Sequence, residues 1–506
     1  MNTIRTIRRT ALLLCTAATL AHPQGTAEPL LFQGTDDRQT ANVRALGMGG
    51  TVTAAGTGAS ALFSNPAALA GIGGAEIRFA GTYASFSRQQ AQQWVPNRIY
   101  TGLSLMMEDM WGNIKAPTVN DTLPVTDPWE QPQRPFDAFG PDWSRSGSSS
   151  APLAFSAAMP VPLGDVTLVV GAGVTMTSDL DHYFQNNNVT DPLLGQYRPS
   201  PRPEMVPGDT LRVRWYQYSR SRDGRIWGVT PAVAFTAGAL TLGASATYYT
   251  GESDDREQRT DRGFLTFLYN RFKLQDTVHL SYTRQGTSTF TGFGGAVGIR
   301  YEQPVVTLAA SAELPYTLTR EYSGQFTLRQ TTLVQRAAYT PGLTADSVNV
   351  TAMNVEEGKT EKISFPFSYA LGVVLRPFND WSFAFDYEVR NLSGVTRELA
   401  STAGVTEWVS RGSFRLGAEY RWTPQFALRA GYREVPQTFS PEGSAIIGEP
   451  AVLSVTSLGA GWELFGASLD VAYLYGSLRY SDMWQSNVNK NSTYTHRITA
   501  ELGYRF

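Results

Sequence analysis

Residues 496–506 read HRITAELGYRF, and the stretch alternates. Ile498, Ala500, Leu502, Tyr504 and Phe506 fall on one side; Arg497, Thr499, Glu501, Gly503 and Arg505 fall on the other. A side-chain period of two belongs to a β-strand. One face is apolar and aromatic to its last residue, while the other carries charge. Such a strand suits a barrel wall with hydrocarbon outside and a polar lumen inside. It also suits the edge of a soluble sandwich whose apolar face meets a core, so the rest of the chain has to decide.

The same alternation recurs in pairs joined by very short links. The pairs are 152–160 with 165–177, 226–236 with 239–250, 292–301 with 305–314, 367–376 with 381–390, 412–422 with 425–434, and 454–464 with 467–477. Gly, Pro, Asn or Asp marks most of the links, as tight hairpins require. With strands near 75–86 and 496–506 the count reaches fourteen, even as in single-chain bacterial barrels. The other connections, 87–151, 178–225, 251–291, 315–366, 391–411, 435–453 and 478–495, are all long. Short turns at one end and long loops at the other are a barrel's asymmetry, for which a sandwich has no reason. The expected fold is therefore all-β: a 14-stranded antiparallel transmembrane β-barrel.

The N-terminus and the composition agree. Arg5, Arg8 and Arg9 precede an apolar run from Ala11 to Ala21, too short to span a bilayer and followed by small residues. This predicts a signal peptide over 1–27, with cleavage after Ala21 or Ala27. The single cysteine, Cys15, lies inside it, which leaves the mature chain without thiol chemistry, disulfides or cysteine metal ligands. Aromatics make up 12% of the chain, charged residues only 17%, and the net charge of −2 points away from nucleic acid. That balance fits a barrel with aromatic girdles.

Charge sits in one phase of the strands. Asp386, Glu388 and Arg390 alternate with Phe385, Tyr387 and Val389, and Arg415 and Glu419 alternate with Phe414, Leu416 and Tyr420. Arg429, Arg433 and Asp470 follow the same rule. An Arg or Lys facing lipid at the midplane costs about 2–4 kcal/mol, so these residues are expected to face the lumen. Their mixed signs predict a mutually paired network, with ligand binding as the less favoured role.

Residues 40–74, TANVRALGMGGTVTAAGTGASALFSNPAALAGIGG, lack the period of two. The run is rich in Gly and Ala, with Asn65 placed to cap a short helix that Pro66 opens and Gly71 ends. Such a compact segment suits the inside of a barrel, not its wall, and predicts a plug over 28–74 with the barrel over 75–506. It lacks the Gly-Lys-Ser/Thr of a phosphate loop. RALGMGG followed by ASALFSNPAALAG resembles the hatch of the FadL/TodX family of outer-membrane transporters for long-chain fatty acids and hydrocarbons. That family's Asn-Pro-Ala motif is matched by Asn65, Pro66 and Ala67. FALRAGYREVPQTFSP and SLGAGWELFGASLDVAYLYG resemble its last strands. The resemblance implies an outer-membrane channel taking up hydrophobic molecules passively, plugged by its hatch and recognised by the barrel-assembly machinery through Phe506. It also implies a lateral exit at a kinked third strand, where Gly171 and Gly173 stand. A PorV-like branch with the same hatch motif, serving protein secretion or surface attachment, is the alternative.

A hydrophobic cargo needs a capture surface and a pocket. Residues 263–274 space Phe264, Phe267, Leu268 and Phe272 as one helical face in an expected loop. Residues 99–111, with Leu103, Leu105, Met106, Met107, Met110 and Trp111, are a second candidate. Met48, Leu62, Phe63, Asn65, Pro66 and Ala67 are the candidate pocket residues, and Arg415 or Arg429 could meet a carboxylate. The expected partners are the hydrophobic ligand and membrane lipid around a monomer. No cofactor or metal is expected. His22, His182, His279 and His496 stand at no spacing that makes a catalytic group, so no enzyme is expected.

Overall fold

The computed structural model describes residues 34–35, 38–94, 142–163, 166–190, 210–212, 214–262, 266–269, 272–275, 278–334, 346–399, 402–405, 408–441, 448–484 and 487–506. The expected signal peptide, the segment 99–111 and Phe264 lie outside them. Nineteen strand segments form one antiparallel sheet; five resume a preceding strand across a short break, so the wall has fourteen strands. In chain order these are β1 (Glu76–Trp94), β2 (Trp143–Leu163), β3 (Val166–Asp179, resumed at His182–Thr190), β4 (Arg214–Ala237), β5 (Leu240–Arg262), β6 (Val278–Glu302), β7 (Val306–Glu313, resumed at Tyr316–Val334), β8 (Asp346–Phe365, resumed at Ser368–Phe378), β9 (Trp381–Arg390, resumed at Thr396–Leu399), β10 (Thr402–Val405, resumed at Ser413–Thr423), β11 (Phe426–Pro436), β12 (Val452–Leu464), β13 (Ala467–Trp484) and β14 (Asn487–Arg505). Each pairs with the next. β14 returns to β1 from Glu76 opposite Arg505 to Trp94 opposite Asn487, closing the barrel.

Alternation sorts the two faces as the sequence implies. On β9, Trp381, Phe383, Phe385 and Tyr387 are exposed, while Ala384 and Asp386 between them are buried. Outward aromatics gather at two heights. Tyr301, Phe378, Trp381, Trp422, Trp462 and Phe465 ring the end with the tight turns; Tyr83, Tyr248, Phe293 and Phe367 ring the other. Between them lie Val297, Ile299, Leu308, Leu371 and Leu502. This is the outward pattern of a transmembrane barrel, apolar between two aromatic girdles.

The strands do not stop at the upper girdle. Above Phe293 the outward residues of β6 are Thr291, Thr289, Thr287 and Gln285; above Tyr248, β5 turns outward Glu252, Asp254 and Arg256. A spanning strand needs about 9–11 residues, whereas β6 has 25. Much of the expected loops 178–225, 251–291, 315–366 and 478–495 is therefore wall. The sequence reading stopped where outward apolar residues stop, because beyond the bilayer both faces are polar and the period of two vanishes. The segment 263–274 needs a second correction. Phe267 and Leu268 lie in Thr266–Tyr269 and Phe272 in Phe272–Gln275, a β-hairpin that pairs with Thr210–Arg212 in a separate small sheet, not a helix. For a short apolar run, periodicity alone cannot choose between the two.

Above the girdle the wall is tied by buried ion pairs. Arg222 donates to both oxygens of Asp255, at 2.6 and 2.8 Å. Arg320 donates to Asp255 at 2.8 Å and to Glu361 at 2.6 Å, and Ser288 adds a 2.6 Å bond to Asp255. Five adjacent strands, β4 to β8, share this cluster. Burial opposes the charge on Asp255, but the hydrogen bonds and charges of Arg222 and Arg320 outweigh it and hold the carboxyl below its ordinary value. A depressed carboxyl stabilises the fold above its unfolded pKa of about 3.9 and loses that contribution as pH falls through the folded value. Removing one partner of such a buried cluster costs about 3–5 kcal/mol. Asp255→Asn should make the upper wall sensitive to limited proteolysis at neutral pH, and the wild type should acquire that sensitivity only below about pH 4. The heat-modifiable barrel should persist in both cases. Equal resistance of variant and wild type would show that the cluster carries no stability.

Candidate functional site

Residues 38–75 pack against the inner wall. They contain helices α1 (Val43–Gly47) and α2 (Val52–Ala55) and two 3-10 turns, Ala59–Phe63 and Pro66–Gly71. Asn42 caps α1 by accepting from the Ala45 amide at 3.0 Å, and Asn65 caps the second turn from the Ala67 amide at 3.1 Å. α1 touches β11 to β14, α2 touches β7 to β9, the first 3-10 turn β1 to β4 and the second β3 to β6. Only a segment inside the barrel can meet strands all round it. The approach is close because the wall is bare there. A Cβ at Gly298 would collide with the Asn65 side chain, and Gly49, at φ +73°, lies against the backbone of Leu416 and Tyr432. Gly243, Gly372, Gly417, Gly431 and Gly459 meet other parts of the segment in the same way.

Charges fix it further. Arg44 donates to both oxygens of Glu419, at 2.9 and 2.8 Å. Arg429 donates to Glu419 at 2.7 Å and Asp470 at 2.6 Å, and Arg78 pairs with Glu501 and Glu76. Asp386 accepts from the Thr53 amide at 2.7 Å, and Arg415 pairs with Glu388. Two arginines offered by the sequence as anchors for a carboxylate ligand, Arg415 and Arg429, are thus already matched by carboxylates of the wall.

The wall itself is interrupted. β2 and β3 pair from Leu163 opposite Val166 up to Ala154 opposite Thr175, and there the ladder ends. Above this point β2 follows β1 alone and β3 follows β4 alone. An unpaired extra residue sits on either side of the split: Leu153, where the β1–β2 register shifts, and Thr177, where the β3–β4 register shifts. Higher up, the rings of Trp143 and Tyr183 meet edge to face at 5.7 Å, and Arg145 lies 4.0 Å over Tyr183. The result is a window, bounded below by the ladder and above by side chains. Its outer rim carries the exposed Phe155 and Val174, so it opens within the apolar band. Its inner rim carries Leu153, Met176, Trp227 and Phe63. The Phe63 ring stands against Gly173, where a Cβ would strike it. Part of the β3 edge is covered from inside: the Gln39 amide donates to Thr177 O at 2.9 Å, and Arg38 bridges to Ser178.

Next to the window the lumen is apolar and aromatic. Leu180, Ile226, Phe290, Tyr316, Leu318, Ile363, Phe365, Leu392 and Val395 form one cluster, flanked by Tyr249 and Trp408. Tyr316 stacks on Phe365 at 4.8 Å and packs on Tyr249 at 5.2 Å. Arg38 lies 5.1 Å over Tyr316 and hydrogen-bonds its hydroxyl. Ile226 pairs with Ser178 on the window's edge, which places this cluster and the window side by side.

Of the six pocket residues expected from sequence, Phe63 alone is only partly buried. Met48, Leu62, Asn65, Pro66 and Ala67 are buried between the segment and the wall. The charged positions Asp386, Glu388, Arg390, Arg415, Glu419 and Arg429 lie in the inward phase of their strands, five of them in the contacts just described. The inward apolar cluster was missed, and so were the residues that frame the window, although the lateral exit implied by the resemblance was expected on this same third strand. Leu180, Ile226 and Leu318 broke the polar pattern of expected loops or strand ends, and that was the available signal. A groove of about 540 Å³ over β8 to β11, lined by Leu375, Phe383, Leu416, Ala418, Ala430 and Tyr432, faces outward and shares no residue with the inward cluster. Among the described residues no group of His, Cys, Asp and Glu could hold a metal. Burial and the charge of Arg220 hold His182 well below its ordinary pKa, so it stays neutral; its Nε2 has no hydrogen-bond partner.

This fold is that of the FadL/TodX channels. A FadL homologue from Pseudomonas aeruginosa superposes with a TM-score of 0.54 at 15% identity, covering 92% of this chain and 99% of that one. The toluene transporter TodX from P. putida gives 0.52 at 13% identity, covering 93% and 99%. A family model described as BamG matches residues 232–434. No curated protein matches the sequence.

Asn65 carries the internal packing to a test. Its Oδ1 caps the 3-10 turn and its Nδ2 donates to Thr53 O at 2.8 Å, all fully buried. Asn65→Ala strips both bonds and leaves a buried carbonyl unpaired, at roughly 1–3 kcal/mol. The expected outcome is faster leakage of small polar solutes from proteoliposomes, with unchanged β content by circular dichroism. Leakage identical to wild type would show that the segment is held without Asn65.

Proposed function

We propose that this barrel is a passive outer-membrane channel for neutral hydrophobic small molecules, that residues 38–75 are its hatch, and that cargo leaves sideways through the β2–β3 window. The observation that carries the reading is the ladder that ends at Ala154 and Thr175 inside the apolar band. A gap there leaves backbone groups at membrane depth short of partners, and irregular backbone is tolerated at that depth only where protein or a cavity receives it. An apolar ligand that parts the aromatic cluster and moves past Phe63, Leu153 and Met176 stays on apolar surface all the way to lipid, so its own concentration gradient is drive enough. The axial route passes instead through the packed segment and its ion pairs. A neutral ligand fits best, because Arg415 and Arg429 already hold carboxylates and an acid would have to displace them. Fold likeness to fatty-acid and toluene channels supports the ligand class without choosing its member.

The BamG match over residues 232–434 favours a second reading, in which the barrel serves assembly or surface delivery of other outer-membrane proteins. A deletion strain separates the two. Loss of uptake of a labelled hydrocarbon or fatty acid supports the channel, whereas normal uptake with depleted surface proteins supports the second reading.

The window has its own test. Leu153→Trp and Met176→Trp add bulk at its inner rim, at a packing cost of about 1–3 kcal/mol that a closed barrel should absorb. Uptake of a labelled hydrophobic tracer should fall about tenfold while heat-modifiability is kept. Wild-type uptake through either folded variant would exclude this route.

A further inference from the structure

We infer that the outer face of β13, β14 and β1 is a binding site for the phosphate-bearing headgroup of an outer-leaflet lipid. The inference rests on the barrel's orientation in the membrane and not on the cargo. Read upward from the tight-turn end, the outward residues of β14 run Leu502, Ala500, Ile498, His496, Tyr494, Ser492 and Lys490. Those of β13 run Tyr473, Tyr475, Ser477, Arg479 and Ser481. Register places Tyr475 beside His496, Arg479 beside Ser492 and Lys490 beside Ser481. Apolar side chains come first, then a polar aromatic layer, then two cations. Acyl chain, sugar or glycerol, and phosphate follow one another in the same order in a lipid.

The middle layer is organised. The Tyr473 hydroxyl and His496 Nδ1 share a hydrogen bond at 2.7 Å, and Tyr475 stacks on Tyr494 with the rings 15° apart. Arg479 lies 5.3 Å over the Tyr494 ring, which steers the guanidinium along the outer face. Arg479 and Lys490 are exposed, and neither pairs with a carboxylate among the described residues. Four residues of strand, at about 3.3 Å each and tilted roughly 40°, lift Arg479 about 10 Å above Tyr475, which is headgroup height. On the adjoining outer face of β1 the partners are Ser85, Ser87, Gln89 and Ala91, none of them acidic; the acid that borders them, Asp142 just before β2, is held by the Gln92 amide at 3.0 Å. The opposite wall differs: β5 turns Glu252 and Asp254 outward beside Arg256. A one-signed sector on a mixed barrel attracts an anionic headgroup by its charge, and the aromatic layer fixes its height.

The test uses the full-length protein in phosphatidylcholine nanodiscs and native mass spectrometry. The probes are bis-phosphorylated lipid A and the same glycolipid with both phosphates removed. Wild type should prefer the phosphorylated form about tenfold or more. Arg479→Gln combined with Lys490→Gln should abolish the preference, with heat-modifiability unchanged, and Arg256→Gln on the opposite wall should keep it. Millimolar orthophosphate should not displace the lipid. The inference is overturned if the double variant keeps the preference, if Arg256→Gln loses it equally, or if orthophosphate alone clears the site.

Discussion

Inside a bilayer an unpaired strand edge has no water to turn to, and everything else in this molecule answers to that fact. The sheet closes on itself through nineteen residue pairs between β1 and β14. The split above Ala154 and Thr175 is handled on the inside. The Gln39 amide gives Thr177 O the bond that β2 no longer supplies, and a flanking extra residue on each strand bends the edges apart. An opening in the wall is thus bound to a segment that must sit within the lumen. The N-terminal residues are part of the wall's hydrogen bonding as well as a filling for the hole.

The lumen's composition follows from the same constraint. Apolar side chains are spent on the lipid face, so the inner phase is left with charges, glycines and small residues. The charges cannot stand alone in a narrow interior, and they pair: Arg44, Glu419, Arg429 and Asp470 in one chain of contacts, Arg222, Asp255, Arg320 and Glu361 in another. The glycines give backbone for the N-terminal segment to lie against. Between these two charged levels remains a patch where apolar side chains face inward, and it adjoins the split. Chemistry inside the barrel is therefore zoned by height.

Legibility from sequence follows the same physics. Wherever lipid bathes one face, a strand announces itself, and so the six hairpins, the terminal strands and the count of fourteen could be read. Where water meets the outer face and the inner face carries buried charge, as over Glu252–Arg262 or Val278–Thr291, both phases are mostly polar, alternation has little to sort and strands read as loop. The Asn65 cap and the turn after Pro66 were legible because capping is local chemistry. The window was not, because Leu153 and Thr177 look like any Leu and Thr until the register of three strands is known. Glycines in the inward phase, such as Gly298 and Gly431, left a trace that alternation alone does not interpret. The aromatic cluster draws on every strand from β3 to β9, and no single stretch holds its pattern.

The Arg44 to Glu419 pair joins residues 375 apart in the chain. The arginine is made first, and its partner arrives only when β10 is in place; Arg429 and Asp470 come later still. Throughout that interval the N-terminal segment has no cradle of its own, since the contacts that hold it come from strands all round the circumference. Its docking is a late, long-range event whose closure entropy is met by the finished ring, which makes it slow relative to strand zipping. The N-terminal segment therefore reports on completion: a barrel missing its last hairpins has nowhere to put its own beginning.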